Sequence, residues 1–487
     1  GADTPEARQS RGYWIGKDLA RAADEVMFYE AAKGLVGKKG WEMLEFMTPY
    51  MGVCKAPCKA KDDEPPTDVD VMLLRNGRDG FNTCRMLDIK IGQVTAVGGW
   101  QGKSAFSAFL QANTIDSWTN SAGQGFRLEG FDGKPPAFQS VDPLLDMWVE
   151  GGAAMRKKAS RVMLQRMNAC DMFMHFFDVH QAPADPGMAD MARLQTPTEA
   201  VEVVHNEVVR QLARLAIACR RVPAPQKWIG SSVALAFDSG KLPTRETPED
   251  TLRRNVRVKI FDWGRSELNT PENHATFSPA ERRDRADFWR LYVSGVNRLA
   301  WEAARSYRHR FGNSAEWQEV EITVSDFDSM TANDFIGLGT IHLRPTTCST
   351  ITLRSRNGTD VKGNGGLASL SYAVSYRELP QGSRLRGVWR ISILRAANLP
   401  VCDRVQGTSD PYCSLVAVSS CGHLRFRQET SIVKRNLNPE WNETFELPLA
   451  ARGVDRLEEA LEAAAAGLGK EAPLAPLLPP SDDCLPL

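Results

Sequence analysis

The stretch Cys84-Arg-Met-Leu-Asp-Ile-Lys-Ile-Gly92 constrains this chain more than any other. Its aliphatic residues alternate with Asp88 and Lys90, which is the two-residue period of a strand carrying both charged side chains on one face. A carboxylate beside an ammonium suits phosphoryl transfer, where one group orients an attacking hydroxyl and the other balances charge on the moving phosphoryl group. For the tripeptide alone, a surface ion pair on an edge strand is the competing reading. The flanking sequence has to separate the two.

The 487 residues allow two to four domains. Lys+Arg and Asp+Glu balance at 60 each, so no global field draws the chain to nucleic acid or to a membrane, and any basic site must be local. Ten scattered cysteines give no disulfide framework, which fits a reducing compartment. No apolar run approaches the ~18 residues of a membrane span. There is no secretory h-region, and Gly1 in place of Met suggests a fragment. The expected location is cytoplasmic, with peripheral membrane association or a nuclear pool both permitted, and the oligomeric state is left open.

The stretch Phe81-Asn82-Thr-Cys-Arg-Met-Leu-Asp88-Ile-Lys90-Ile-Gly92-Gln93 resembles the inositol polyphosphate kinase family, nearest its multikinase branch. The family hallmark is Pro-x-x-x-Asp-x-Lys-x-Gly, and Cys84 stands where its proline would be. Other blocks follow in family order. Glu25-Val-Met-Phe28-Tyr29, inside a helix expected over 19–34, is similar to Glu-x-x-Phe-Tyr. The resemblance implies that Glu25 pairs with a lysine holding ATP phosphates; Lys17 is the upstream candidate, with a merely exposed lysine as the alternative. Phe46-Met-Thr-Pro-Tyr50-Met-Gly52 matches the next block, and residues 60–68 read as a loop. Val71-Met-Leu-Leu74 would lead into the hinge that holds adenine through backbone groups. There the family carries two acids, one binding ribose, whereas this chain has Arg75 and Asn76, and an amide bonds a ribose hydroxyl more weakly than a carboxylate.

After Gly92 the family inserts a substrate segment rich in lysine and arginine. Residues 93–124 hold only Lys103, and Asp116 opposes an anion. Gly125-Phe-Arg127-Leu-Glu-Gly130 restores the family pattern, leaving Arg127 to serve the substrate pocket or a structural salt bridge. Helices are expected over 155–178, 197–221 and 285–310, with Met163, Met167, Met172 and Met174 filling core and His205 a solvated or satisfied histidine. Ser231-Ser232-Val-Ala-Leu resembles the strand whose serine lies near the metal. Val256-Arg-Val-Lys-Ile-Phe-Asp262-Trp-Gly264 resembles the family's Ile-Asp-Phe, which implies that Asp262 binds Mg²⁺ bridging the nucleotide phosphates.

From Glu319 strands dominate. Val320-Glu-Ile-Thr-Val-Ser-Asp326-Phe-Asp328, with Asp334-Phe-Ile-Gly337, resembles the late calcium loop of a C2 domain. The early part of such a domain comes afterwards: Gly366-Leu-Ala-Ser-Leu-Ser-Tyr372, Trp389 to Leu399, then Asp403 and Gly407-Thr-Ser-Asp410-Pro-Tyr412 as the first calcium loop, and Asn438-Pro-Glu-Trp441-Asn-Glu-Thr-Phe445. Oxygen-rich loops of this kind suit Ca²⁺. Together the inverted halves span about 130 residues, the size of one sandwich, so a circularly permuted C2 domain and a truncated tandem pair both stay open. Met330 and Val405 would sit at the loop tips, and Arg425, Arg427, Lys434 and Arg435 form a local basic surface.

The expected architecture is α+β: a two-lobed kinase-like domain over 1–312, a C2-like all-β sandwich over 319–449 (late strands 319–364, early strands 365–449), and a helical then disordered tail over 451–487. Its expected work is ATP-dependent phosphorylation of an inositol phosphate beside a Ca²⁺-dependent module for anionic phospholipid. Asp88 and Lys90 would act in catalysis. Lys17, Glu25, Leu74, Asn76, Ser231 and Ser232 would hold ATP and Mg²⁺ together with Asp262, and Lys103 and Arg127 would meet substrate. Asp326, Asp328, Asp334, Asp403 and Asp410 would bind Ca²⁺. A kinase-fold scaffold with little or no catalysis is the alternative, and nucleic acid is not an expected partner.

Overall fold

The structure is a computed structural model, and it describes residues 14–58, 67–81, 84–132, 162, 164–177, 197–238, 247–312, 317–327, 334–403, 407–419, 425–450 and 456–466. Strands β1 (Trp14–Asp18), β2 (Tyr50–Cys58) and β3 (Thr67–Arg75) form an antiparallel sheet in the order β1-β3-β2, with helix α1 (Ala23–Lys33) between the first two in sequence. α1 buries Glu25, Phe28, Tyr29 and Ala32, the i, i+3, i+4, i+7 face of one helix stripe. Lys17 lies within β1, opposite Met72 of β3.

The second sheet contains β4 (Cys84–Ile91), β5 (Phe126–Asp132), β7 (Ser232–Asp238) and β8 (Val256–Phe261), ordered β5-β4-β7-β8; the short β6 (Lys227–Trp228) and β9 (Ser266–Glu267) pair with each other. Behind it pack α3 (Thr198–Arg220) and α4 (Pro279–Phe311), while α2 (Ala105–Gln111) lies between β4 and β5 in sequence. A capping box at Ser278 and Glu281, with Pro279 at the first position, starts α4 cleanly. Its Gly295 lies so close to Gly125 that an added Cβ would meet the Gly125 carbonyl oxygen at 2.3 Å. Gly125 itself has φ +74 and accepts from Gly92 N at 2.8 Å, so the glycines of both motifs meet at one crossing.

The C-terminal strands form two four-stranded sheets. β10 (Trp317–Asp326), β11 (Phe335–His342), β17 (Pro411–Ser419) and β18 (Arg425–Glu429) run in the order β11-β10-β17-β18. β12 (Thr346–Thr352), β15 (Ser369–Glu378), β16 (Leu385–Ala397) and β19 (Glu440–Ala450) run as β12-β15-β16-β19, with a small ribbon of β13 (Lys362–Gly363) and β14 (Gly366–Leu367) beside them. Strand β10, from the late block, pairs along its length with β17, from the early block: Ile322 faces Leu415 and Asp326 faces Pro411. One apolar core, including Val320, Ile322, Leu370, Ile391, Leu415 and Phe445, joins the two sheets.

The final helix, α5 (Arg456–Ala466), does not continue as a free tail. Leu457, Leu461 and Ala464 are buried in the core that contains α3 and α4, so the helical part of 451–487 belongs to the N-terminal body; the remainder of that tail lies outside the described residues. Polar links run the same way. Arg384 Nη2 donates to Glu202 Oε1 at 2.9 Å, Tyr307 also donates to the buried Glu202, and Arg377 Nη2 donates to Glu199 at 2.6 Å. Removing Arg384 leaves Glu202 buried without its cation, a loss of about 3–5 kcal/mol. Denaturant unfolding of Arg384→Ala should show that loss in midpoint, with both bodies melting earlier.

Candidate active site

The register of the second sheet assembles the site. Lys90 stands opposite Ser232, which stands opposite Phe261; Asp88, Ala234 and Lys259 form the next rung, and Met86, Ala236 and Arg257 the one after. Residues directly opposite in an antiparallel pair share a face. The small side chains of the central strand leave room above them. A cavity of about 350 Å³ opens there, lined by Ile15, Leu74, Asn76, Ala234, Ala236 and Lys259 among others. The segment after β3 closes one side, where Asn76 Oδ1 accepts from Arg78 N at 3.0 Å and Arg257 Nη1 donates to the Gly77 carbonyl at 2.8 Å.

At the next rung the charged groups converge. Asp262 follows β8 in a left-handed conformation (φ +65), tolerable for aspartate and unusual for most residues. Its Oδ1 lies 3.7 Å from Lys17 Nζ and its Oδ2 4.0 Å from Lys90 Nζ. Lys17 in turn pairs with the buried Glu25. Trp263 fixes this arrangement: its ring stacks on Phe28 of α1 at 4.2 Å between centroids, which sets Glu25 beside the Asp262 turn. The structure thus brings Lys17, Glu25, Asp88, Lys90, Ser232 and Asp262 together, with Leu74 and Asn76 in the adjoining cavity wall.

Burial raises the Asp88 carboxyl above its ordinary range, opposed by the Ser232 hydroxyl and by Lys90. Asp88 Oδ1 and Ser232 Oγ are near one another and buried, and neither completes a well-formed hydrogen bond. Unpaired oxygen atoms beside a half-exposed carboxylate are hard donors of the kind Mg²⁺ takes. Ser231 precedes β7, one position off the Lys90–Ser232–Phe261 rung, and its hydroxyl is also buried without a hydrogen-bond partner, so the register favours the second serine for the site.

Two expectations about the substrate segment need correction. Arg127 is 2% exposed, and its guanidinium is bound by Asp116 Oδ1 at 2.7 Å, Glu129 at 2.7 Å and Ser121 at 2.8 Å. It is a structural cation with no donor left for a substrate. Asp116 is buried with it and holds Thr95, so it does not repel an anion at the surface. Lys103 remains half-buried, donating to Gln111 at 3.1 Å. Arg257, Lys259 and Arg265 were missed by sequence reasoning, although Arg257 and Lys259 alternate with the core residues of β8 and so had to share the Phe261 face. His205 is fully buried among Phe177, Tyr307 and Phe311, with its pKa held well below normal by burial.

At the rim of the sandwich, Asp326 accepts from Asp410 N, Asp326 N donates to the Asp334 carbonyl at 2.8 Å, and Asp410 Oδ1 accepts from Arg435 N at 2.7 Å. Asp403 bonds Thr408 at the neck of the adjacent loop. Among the described residues no set of three carboxylate, His or Cys side chains is disposed around a metal position. Asp328, Met330 and Val405 lie outside the described residues, as do the side chains of Arg425 and Arg427.

A C2 domain family model matches residues 306–357 and 387–462. Synaptotagmin-3 of Arabidopsis thaliana is 52% identical over 61 residues, 12% of this chain and 11% of that protein. Human Ras GTPase-activating protein 4 is 35% identical over 147 residues, 28% and 16% of the two chains. Synaptotagmin 1 of Drosophila melanogaster is 30% identical over 135 residues, 28% and 27%. The matches therefore span less than a third of these relatives. Among solved structures, the chain is similar to inositol phosphate multikinase Ipk2 of S. cerevisiae in complex with ADP and Mn²⁺, with a TM-score of 0.37 and 16% identity over 60% of this chain and 99% of that one. A second inositol phosphate multikinase structure aligns at TM-score 0.32 and 14% identity, over 58% and 98%. No helix among the described residues is long and apolar enough to cross a membrane.

Because Arg127 is sealed, Arg127→Leu should lower the unfolding midpoint by the cost of orphaning Asp116, about 3–5 kcal/mol. It should not selectively raise KM for any phosphorylated substrate. A raised KM at unchanged stability would return Arg127 to the binding site.

Proposed function

We propose that the N-terminal body is an ATP-dependent kinase acting on an inositol phosphate, and that the C-terminal sandwich is one circularly permuted C2-type module binding anionic phospholipid with Ca²⁺. One observation carries the kinase reading: Lys17–Glu25, Asp262 and the Asp88–Lys90 strand converge at the end of a cavity walled by the segment after β3. The cavity would take adenine, with Leu74 and Asn76 at its edge. Lys17, held by Glu25, would meet the phosphates, and Asp262 with Ser232 would hold Mg²⁺. Mg²⁺, when bound, supplies charge neutralisation at the nucleotide phosphates.

The chain's own groups do the remainder. Asp88 orients the acceptor hydroxyl and takes its proton, a role favoured by a carboxyl whose proton affinity burial has raised. Lys90 balances charge on the transferring group. Turnover of ATP against a panel of inositol phosphates tests the reading. Lys90→Ala and Asp262→Asn should each lower transfer by about 10²-fold or more without unfolding the protein. Near wild-type transfer by both would end the assignment. A second reading, a kinase-fold scaffold without turnover, draws support from Asn76 at the ribose position and from the sealed Arg127; it predicts nucleotide-dependent stabilisation with no transfer to any member of the panel.

For the sandwich, the inverted halves supply the carboxylates jointly: Asp326 and Asp334 with Asp328 from one, Asp403 and Asp410 from the other. Such a rim repels itself until a divalent cation arrives. Adding Ca²⁺ should raise the unfolding temperature and drive sedimentation with phosphatidylserine vesicles. Asp403→Asn combined with Asp334→Asn should remove both Ca²⁺ effects, and their persistence would exclude this rim.

A further inference from the structure

The segment after β4 folds as a helix turned inside out. Over residues 105–118 two polar side chains face the protein: Gln111 Nε2 donates to Thr95 Oγ1 at 2.6 Å, and Asp116, the one charged residue of this stretch, is buried against Thr95 and Arg127, while Asn113 and Ser117 stay exposed. The apolar side chains face out. Phe106 is 71% and Phe109 64% exposed, with Leu110, Ile115 and Trp118 exposed beside them. A water-facing helix normally carries the opposite pattern. Phe106, Phe109 and Leu110 follow the i, i+3, i+4 spacing of one face. The next outward residue, Ile115, comes five positions after Leu110, which is where a π-helical turn, Ala112–Asp116, inserts its extra residue. Asn113, Thr114 and Thr119 donate to the carbonyls of Phe109, Leu110 and Ile115, satisfying groups that the wider turn loosens. The stripe is therefore kept in line over 14 residues, about 20 Å of helix.

Charge accompanies the apolar stripe at one end. Lys103 lies just before α2, close enough to Arg265 that the two cations act on each other, and Trp100 Nε1 ties the segment to the Arg265 carbonyl at 3.1 Å. Lys103 also feels the buried Asp116, whose ion pair is made with Arg127, and donates to Gln111 at 3.1 Å. A stripe of exposed Phe, Leu, Ile and Trp, with no exposed acid in its own sequence and with Lys103 and Arg265 at one end, complements a negatively charged lipid surface.

We propose that residues 105–118, with Lys103 and Arg265, dock the N-terminal body on an anionic lipid bilayer independently of Ca²⁺ and of the C2-type sandwich. Phe106, Phe109 and Trp118 enter the interfacial layer, and the two cations meet lipid phosphates. The face adjoins the candidate site through Arg265, three residues after Asp262, so docking turns that site toward the membrane.

Vesicle flotation of the full chain in EGTA tests this, using phosphatidylcholine vesicles with and without phosphatidylserine. Wild type should float with the anionic vesicles and far less with the neutral ones. Phe106→Glu with Phe109→Glu should weaken binding tenfold or more. Phe106→Leu with Phe109→Leu should retain it, which separates loss of an apolar face from misfolding. Lys103→Ala with Arg265→Ala should abolish the preference for phosphatidylserine. Failure of wild type to float in EGTA, or undiminished flotation of the double glutamate variant, overturns the proposal. So does a double glutamate variant that dissociates a self-associated form while floating normally, because the face would then contact a second copy of the chain. These outcomes are independent of ATP turnover, so they stand apart from the test of the kinase reading.

Discussion

Helix α3, Thr198–Arg220, is buried on nearly every side, and the rest of the molecule is arranged by what that burial demands. Eighteen of its residues are buried, more than one apolar stripe can supply, so polar residues are carried inside with it. Glu202, His205, Asn206 and Glu207 all require partners there. Glu207 takes Arg210 and Arg253, and Glu202 takes Tyr307 of α4 and Arg384 from the β-sandwich. The sandwich side of the contact is thus bound to the helix by a need of the helix. α5 then covers the apolar side with Leu457, Leu461 and Ala464.

The strand order of the sandwich makes this attachment possible. The chain enters the sandwich at β10 directly from the end of α4 and leaves from β19 into α5. Trp317 at the entrance donates to the Pro448 carbonyl near the exit at 2.9 Å. Both ends of the sandwich therefore lie together, against the helices they connect to. With two anchored connections rather than one linker, relative movement of the bodies must break buried contacts.

Much of the candidate site was legible because it depends on period-two alternation. Asp88 and Lys90 had to share a face, and a strand ending at Phe261 had to deliver Asp262 at its rim. Register was not legible: nothing in the sequence says that Lys90 faces Ser232 rather than Ser231, or that Lys17 reaches Asp262. The pairing of Arg127 with Asp116 was hidden for a related reason. A salt bridge was one of the two roles open to Arg127, but Asp116 looks like a free surface charge in its own segment, and the two meet only in the folded chain. The destination of α5 was equally hidden, since an alanine-rich amphipathic helix encodes a face without naming what covers it.

The departures from the kinase pattern share one physical consequence. Where the resembling family places cations in the substrate segment, this chain spends its arginine on an internal carboxylate and turns apolar side chains outward. The internal pair is costly to desolvate and stabilises the fold only because Thr95, Ser121 and Glu129 complete its hydrogen bonds. Once Arg127 is committed in this way, the cations that face Asp262 are Lys17 and Lys90, and the outer segment, its one acid buried, carries the apolar surface that the structure displays.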